Sequence, residues 1–421
     1  MESTTQIGET VNHLFRHEAG KMVSVLTRIF GAHNIELAED VVQDTLLKAL
    51  EQWRIGGIPE NPTGWLFRVA KNKALDVIRR EKLMNSFADD ISYLLKSEYT
   101  IIPTLNDLLT DTSIADDQLR MMFVCCHSAI SEETHVALIL KTLCGFSVAE
   151  IAAAFLCAND TIEKRLYRGK QTLRTKNIRF ELPSSAQLEE RLNSVLKAIY
   201  LLFNEGYYST TSENVIREDL VEEALRLVLM LADYSATAKP KVFALAALIS
   251  LHAARLPSRL DSSGNIILLP EQDRTLWDAR LIHEGLQLIA RASIGEEISE
   301  YHIEAAIASE HCFAPSQVQT NWKHIVWLYD LLYERTASPI AALNRAIAIS
   351  ELEGAEAGIR AIESINDLSL LDNYFLLQAA LGELYFRSGN IPRARELFTK
   401  ALLLPHSPQE AQLLRRKFAL T

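Results

Sequence analysis

Residues 147–176 read SVAEIAAAFLCANDTIEKRLYRGKQTLRTK. Two helix starts stand in this stretch. Ser147 can cap a helix with Glu150 at its third position, and Asp160 can cap a second with Glu163 in the same place. The first helix, VAEIAAAFL, is short and alanine-rich; CAND then turns the chain, and the second helix begins at Thr161. Along it Ile162, Leu166 and Leu173 recur at core spacing. Thr161, Lys164, Arg165 and Arg168 fall elsewhere on the circumference, where a groove could receive them. Two short helices, a tight turn and a basic second helix make a helix-turn-helix. Clustered cations on such a helix release counterions from a phosphate backbone, and those near its start can reach base edges.

That basic helix lies in an acidic chain. The 421 residues carry a formal net charge of −11. The acidity is uneven, however: 1–180 has a net charge of −2 and 181–421 a net charge of −9. A polyanion at contact distance meets the local clusters rather than the global charge. Apolar content of 48% and charged content of 23% are those of a globular protein, and 421 residues imply more than one domain. Only 16 Gly and 12 Pro, with no sustained period-2 alternation, predict an all-α fold.

The second basic segment is NPTGWLFRVAKNKALDVIRREK (61–82), with Asn61 placed to cap a helix and Pro62 at its first position. Arg68, Asn72, Arg79 and Lys82 share one stripe of that helix, and Lys71, Lys73 and Arg80 add charge beside it. Cations with a bidentate amide on one stripe suit nucleic acid, and the approach RIGGIPENP (54–62) could cradle an unstacked base. Upstream, AEDVVQDTLLKAL (38–50) sets Ala38, Val41, Val42, Thr45, Ala49 and Leu50 near one face. Glu39, Asp40, Gln43, Asp44 and Lys48 are left on the other.

Together these residues resemble an extracytoplasmic-function sigma factor, the promoter-recognition subunit of bacterial RNA polymerase. The segments EDVVQDTLLKAL, GWLFRVAKNKALDVIRR and the helix-turn-helix stand in that family's order and spacing across about 10–180. The resemblance implies a sigma region 2 bundle at 1–85, a linker at 86–115 and a region 4 helix-turn-helix at 116–180. It implies that Asp40, Gln43 and Asp44 dock on the core RNA polymerase, and that the 55–63 loop and Asn72 hold a base flipped from the −10 element. Arg68, Lys71, Arg79 and Arg80 would track strand backbone. Thr161, Glu163, Lys164, Arg165, Tyr167 and Arg168 would lie on the helix that reads the −35 element. Glu163 departs from the family pattern and is read as a helix cap; Trp65 is read as core. In the free protein the linker is expected to leave the two DNA-binding units uncorrelated.

Beyond 180 the chain resembles the subgroup with a large helical C-terminal extension, here 187–298 followed by 299–421. LGELYFRSGNIPRARELFTKALLLP places Leu381, Gly382, Tyr385, Gly389, Ala394, Phe398 and Ala401 at tetratricopeptide offsets, with the closing proline one residue early at Pro405. Residues 338–365 look like a looser pair of the same kind, and RLPSRLDSSGNIILLPEQD (255–273) like a hairpin or ordered loop. The subgroup is linked to small proteins of the YCII/DGPF type, which makes such a protein a candidate partner, and the extension a candidate regulator.

Enzymatic readings find little support. FNEGY (203–207) offers no triad, and His283, His302 and His311 lack an HExxH-like partner and read as surface or satisfied core histidines. Five cysteines without a CxxC pair suggest neither disulfides nor a metal, so no cofactor or metal is expected. No signal segment is apparent at the N-terminus, and the longest apolar run, VFALAALISL (242–251), is too short to span a bilayer. A cytoplasmic protein with no membrane partner is expected. The competing reading is a stand-alone helix-turn-helix regulator with a tetratricopeptide-like sensor, which leaves the 38–82 constellation unexplained.

Overall fold

The computed structural model describes residues 2–81, 98–155, 157–209, 215–366, 368–404 and 407–420. Lys82 of the basic stripe, residues 86–97 of the linker and Pro405 of the repeat lie outside the described residues. Nineteen α-helices account for most of the described chain, which contains no strand and one isolated antiparallel bridge, Leu260 to Ile266. The chain divides into two compact units, Met1–Leu202 with Asp233–Thr237, and Phe203–Ala232 with Ala238–Thr421.

The first unit is built on α1 (Glu2–Phe30). Its residues Met22, Val23, Val25, Leu26, Ile29 and Phe30 are all buried, which is more than one face of a helix. One side carries α2 (Ile35–Gly56) and α3 (Pro62–Glu81); α4 (Glu98–Leu108) closes over Met22, Ile29, Ala70 and Ala74 with Leu105. Another side of α1 packs on α5 (Asp111–Cys125) and α6 (Glu132–Thr142). A Cβ added to Gly20 would lie 2.0 Å from the Leu143 carbonyl oxygen, so α1 and the end of α6 touch backbone to side-chain-free backbone. Arg16 pairs with Glu150 at 3.2 Å, Arg28 approaches Asp117 at 3.9 Å, and Lys170 pairs closely with Glu39. The halves that the sequence suggested would move independently therefore share one core. Periodicity identifies the apolar faces of α1 but carries no information on which bundle covers each.

The helix-turn-helix follows. In α7 (Val148–Ala154) Ser147 and Glu150 complete the expected capping box. The second helix, α8 (Asn159–Thr175), starts two residues earlier than predicted: Ala158 occupies the N-cap and makes no side-chain bond, and Asp160 sits in the first turn. An extended backbone at Ala158 suffices to start the helix, and acids in its first turn favour the positive end of the helix dipole. Ile162, Leu166, Gly169 and Leu173 form its buried face. Gly169 matters there, since a Cβ would fall 2.7 Å from Thr134 Cγ2 on α6.

In α9 (Ser185–Tyr207) Leu202 closes the first unit and Phe203 opens the second. The second unit continues through α10 (Glu218–Asp233) to α11 (Pro240–Ala253), which is buried on nearly every side, as its uninterrupted apolar run requires. Helices α12 (Ala279–Ala292) and α13 (Glu300–Phe313) flank it. The 255–273 stretch folds as short 3-10 turns around the single bridge, with Asp261 accepting from the backbone N–H groups of Ser263 and Asn265 and Gly264 at φ +78°. Thereafter come α14 (Trp322–Thr336), α15 (Pro339–Glu353), α16 (Ala355–Glu363), α17 (Phe375–Arg387), α18 (Ile391–Leu403) and α19 (Pro408–Leu420), each packed on its neighbour in sequence. Between α17 and α18 the Phe398 ring fills the space over Gly382, and Ala394 and Ala401 are fully buried. Burying a ring of that size contributes about 1.5–3 kcal/mol.

Candidate nucleic-acid interface

Burial of Ile162, Leu166 and Leu173 turns the opposite side of α8 to solvent. Thr161, Glu163, Lys164, Tyr167 and Arg168 are all exposed there, Tyr167 at 65% of its surface. Glu163 is not a cap, because the N-cap residue Ala158 offers no side chain and helix α8 begins without one. Its carboxylate stands on the open face just beyond the first turn, where Asp160 is the acid. Arg165 is placed differently from its neighbours: Nη2 donates to Glu133 Oε2 at 2.6 Å and the guanidinium lies 5.5 Å from the Phe155 ring centroid. Lys170 is turned to Glu39. The positive charge of α8 thus divides into an exposed pair near its start, Lys164 and Arg168, an exposed Arg174 in its last turn, and two cations engaged with other helices of the unit.

A second open face lies on α3. Leu66, Ala70, Ala74 and Ile78 are buried, and Arg68, Asn72, Arg79 and Arg80 are exposed. Asn61 accepts from the Gly64 N–H at 2.8 Å, which fixes the helix start just after the glycine-bearing loop. In that loop Gly57 has φ +80°, a conformation that would strain a side-chain-bearing residue. Lys71 donates to Asn106 Oδ1 at 3.1 Å, and Arg80 Nε to the Asp76 carbonyl at 3.3 Å. Trp65 is half-buried with its ring edge-on to Trp53, 5.4 Å between centroids. Trp53 in turn meets Phe15 at 5.6 Å, so Trp65 is the outer member of an aromatic cluster rather than a free wedge.

On α2 the residues Asp40, Gln43 and Asp44 are exposed, and Asp44 accepts from Lys73 at 3.0 Å. Leu50, assigned from spacing to the buried face, is instead exposed at 48%, and Leu47 at 58%. The arc from Ala38 to Ala49 already fills the available groove, and Leu50 lies past its edge. Two exposed leucines beside three polar residues make a mixed surface of the kind found at protein interfaces. The sequence reading missed Leu47. Its signal was an apolar residue on the acidic face, which spacing alone treats as noise.

The chain belongs to the sigma-70 family, and within it to the extracytoplasmic-function type. The model described as Sigma-70 region 2 matches residues 14–83, and that of Sigma-70 region 4 matches 120–173. A third, described only as a family of unknown function, matches 191–293. Among individual relatives, an uncharacterised protein of Rhizobium meliloti (strain 1021) is 35% identical over 393 residues, covering 93% of this chain and 91% of the relative. The ECF RNA polymerase sigma factor SigE of Mycolicibacterium smegmatis is 26% identical over 163 residues, 39% of this chain and 60% of its own. The ECF RNA polymerase sigma-E factor of Haemophilus influenzae is 27% identical over 174 residues, 39% of this chain and 86% of its own. No solved structure matches.

Among the described residues no helix is long and apolar enough to cross a membrane. Cys125 and Cys126 are buried, and burial pushes the Cys125 thiol up to about 12 despite its contact with Thr142. Neither is a ready thiolate.

Proposed function

We propose that this protein is a sigma factor that directs bacterial RNA polymerase to specific promoters, acting as an initiation subunit rather than a catalyst. The observation that carries this is the pair of open cationic faces, Lys164 and Arg168 on α8 and Arg68, Asn72, Arg79 and Arg80 on α3, each placed within its matching family region. Residues 1–85 would bind the core enzyme and the −10 element, 86–115 link, and 116–180 read the −35 element. Asp40, Gln43 and Asp44, with Leu47 and Leu50, would form the polymerase contact; Lys71 and Arg80 would exchange local bonds for strand phosphates. Thr161, Glu163, Tyr167 and Arg165 would border the base-reading pair. The work would take place in the cytoplasm.

The helices at 187–298 and the tetratricopeptide-like pairs at 299–421 would regulate that activity. A YCII/DGPF-type small protein is proposed as a partner by resemblance, and co-purification with this chain is its test. The central experiment is run-off transcription with purified catalytic core polymerase on candidate promoters. A specific transcript that is reduced by Arg168→Ala, and that requires premelted −10 DNA with Asn72→Ala, is expected. No transcript from any candidate promoter would overturn the reading.

A further inference from the structure

The second unit contains positive charge in an unusual place. Arg255, at the end of α11, is 7% exposed, and Arg259 is 9% exposed. Arg274 approaches them from the short turn before α12. Trp277, itself 7% exposed, lies against two of these guanidinium groups, with Arg255 5.4 Å and Arg274 4.7 Å from its ring centroid. Its Nε1 donates to Ser258 Oγ at 2.8 Å, which fixes the ring.

Bonding requirements are met unevenly across the cluster. Arg259 donates to the Tyr207 carbonyl and lies 3.8 Å from that ring, and Arg274 Nη1 donates to the carbonyls of His311 and Ala314. Arg274 Nη2 is buried without an acceptor. The Arg255 side chain donates no hydrogen bond to any described residue, and its Nε is sealed from solvent. The ring Nδ1 atoms of His252 and His311 are likewise buried and unmatched, so His311 is not the satisfied core histidine its sequence context suggested. Both imidazoles are held neutral: the pKa of His311 is pushed down to about 3 by burial first and then by Arg255 and Arg274, and that of His252 is lowered by burial first and then by Arg255 and Arg259.

The cluster carries its charge without an ion pair among the described residues for any of its three arginines. The acids adjacent in sequence are occupied: Asp273 accepts from Thr275, Asp278 caps α12, and Glu310 pairs with His324 at 2.6 Å. Glu304 and Arg255 act in opposite directions on the Tyr329 hydroxyl. An unpaired buried charge is costly enough that native proteins supply a partner. Guanidinium groups are the side chains best fitted to bind carboxylate or phosphate oxygens in parallel pairs.

We infer that Arg255, Arg274, His311 and Trp277 form a binding site for a small anion bearing a phosphate or carboxylate group, which completes the buried arginine cluster of the C-terminal extension. The site falls inside the 191–293 match of unknown function except for His311. It is independent of the DNA-binding reading, since none of its residues belongs to the faces on α3 or α8.

The test is a titration of the full chain with inorganic phosphate and, separately, with citrate, against sodium chloride at equal ionic strength. Thermal unfolding and tryptophan fluorescence are the readouts. Saturable stabilisation of several degrees by one or both anions, absent with chloride, is expected; the anion that acts assigns the class. Arg255→Met should abolish the anion-dependent rise while leaving the anion-free melting temperature unchanged or higher, because it removes an unpaired buried charge. Arg255→Lys should retain a weakened response. No saturable response to either anion, or a full response in Arg255→Met, would overturn the inference. So would a lower anion-free melting temperature in Arg255→Met together with no anion effect in the parent, which would mark Arg255 as purely structural.

Discussion

The division of charge on α8 makes a quantitative forecast about three neighbouring cations. Arg168 and Lys164 stand exposed, whereas Arg165 is held by Glu133 at 2.6 Å and lies over Phe155. A bidentate contact from an arginine to a base edge is worth about 1–3 kcal/mol, or about 5- to 150-fold in promoter occupancy. Arg168→Ala should therefore lower holoenzyme occupancy within that range and relax preference at one position of the −35 element. Lys164→Ala, if it loses a phosphate contact, should weaken binding across sequences and reduce the salt slope by about 0.9. Arg165→Ala starts from a different state. Its ion pair is largely solvated, since the Glu133 side chain is 72% exposed, so that pair contributes at most about 1 kcal/mol, with about 0.5–1 kcal/mol more from the ring. Truncation should lower the melting temperature slightly while promoter occupancy stays within about threefold, a change below 1 kcal/mol. Fluorescence anisotropy of labelled promoter with reconstituted holoenzyme, at two or more salt concentrations, measures all three. The reasoning is refuted if Arg165→Ala costs as much occupancy as Arg168→Ala, or if Arg168→Ala has no effect.

Three further outcomes follow from the first unit. Leu47→Ser with Leu50→Ser should weaken capture of core polymerase by at least tenfold in a pull-down titration while leaving the thermal stability of the free chain unchanged, because both side chains are exposed. Gly169→Val should destabilise the unit by about 1–3 kcal/mol, because its side chain would collide with Thr134 and Leu138; chemical unfolding measures the loss. Asp117 is buried, and desolvation raises its pKa to about 6, with Arg28 and Arg120 opposing. A raised folded-state pKa gives stability that is complete below about pH 4 and lost as pH rises through about 6, here about 3 kcal/mol for a shift of about two units. Relative to Asp117→Asn, the parent chain should lose that amount between pH 4 and 7, read by hydrogen exchange on α5 peptides; a difference independent of pH would contradict it.

Much of this molecule was legible before any coordinates. The all-α architecture, the capping box at Ser147 and Glu150, the buried face of α8 and the start of α3 at Asn61 all follow from local rules. Caps and periodicities involve residues within a turn or two of one another, so the sequence carries them directly. The same holds for the exposure of Arg68, Asn72, Lys164 and Arg168, each the complement of an apolar stripe. Leu50 was misread where a stripe ends, because there the groove's width, not the spacing, decides burial, and the start of α8 was misread because an extended backbone at Ala158 begins the helix without a side-chain cap.

Other features were settled by contacts between residues far apart in the chain. Arg165 and Lys170 look equivalent to Arg168 in the sequence, but Glu133 and Glu39, 32 and 131 residues away, remove them from the open face. Gly20 reads as a neutral residue until Leu143 is found against it. The gathering of Arg255, Arg274 and His311 around Trp277 was likewise invisible, since it joins the ends of two helices to a turn. Composition and period specify what each helix can bury. Only packing, which depends on shape and on the partners present in three dimensions, decides which charges are left facing solvent and which are enclosed.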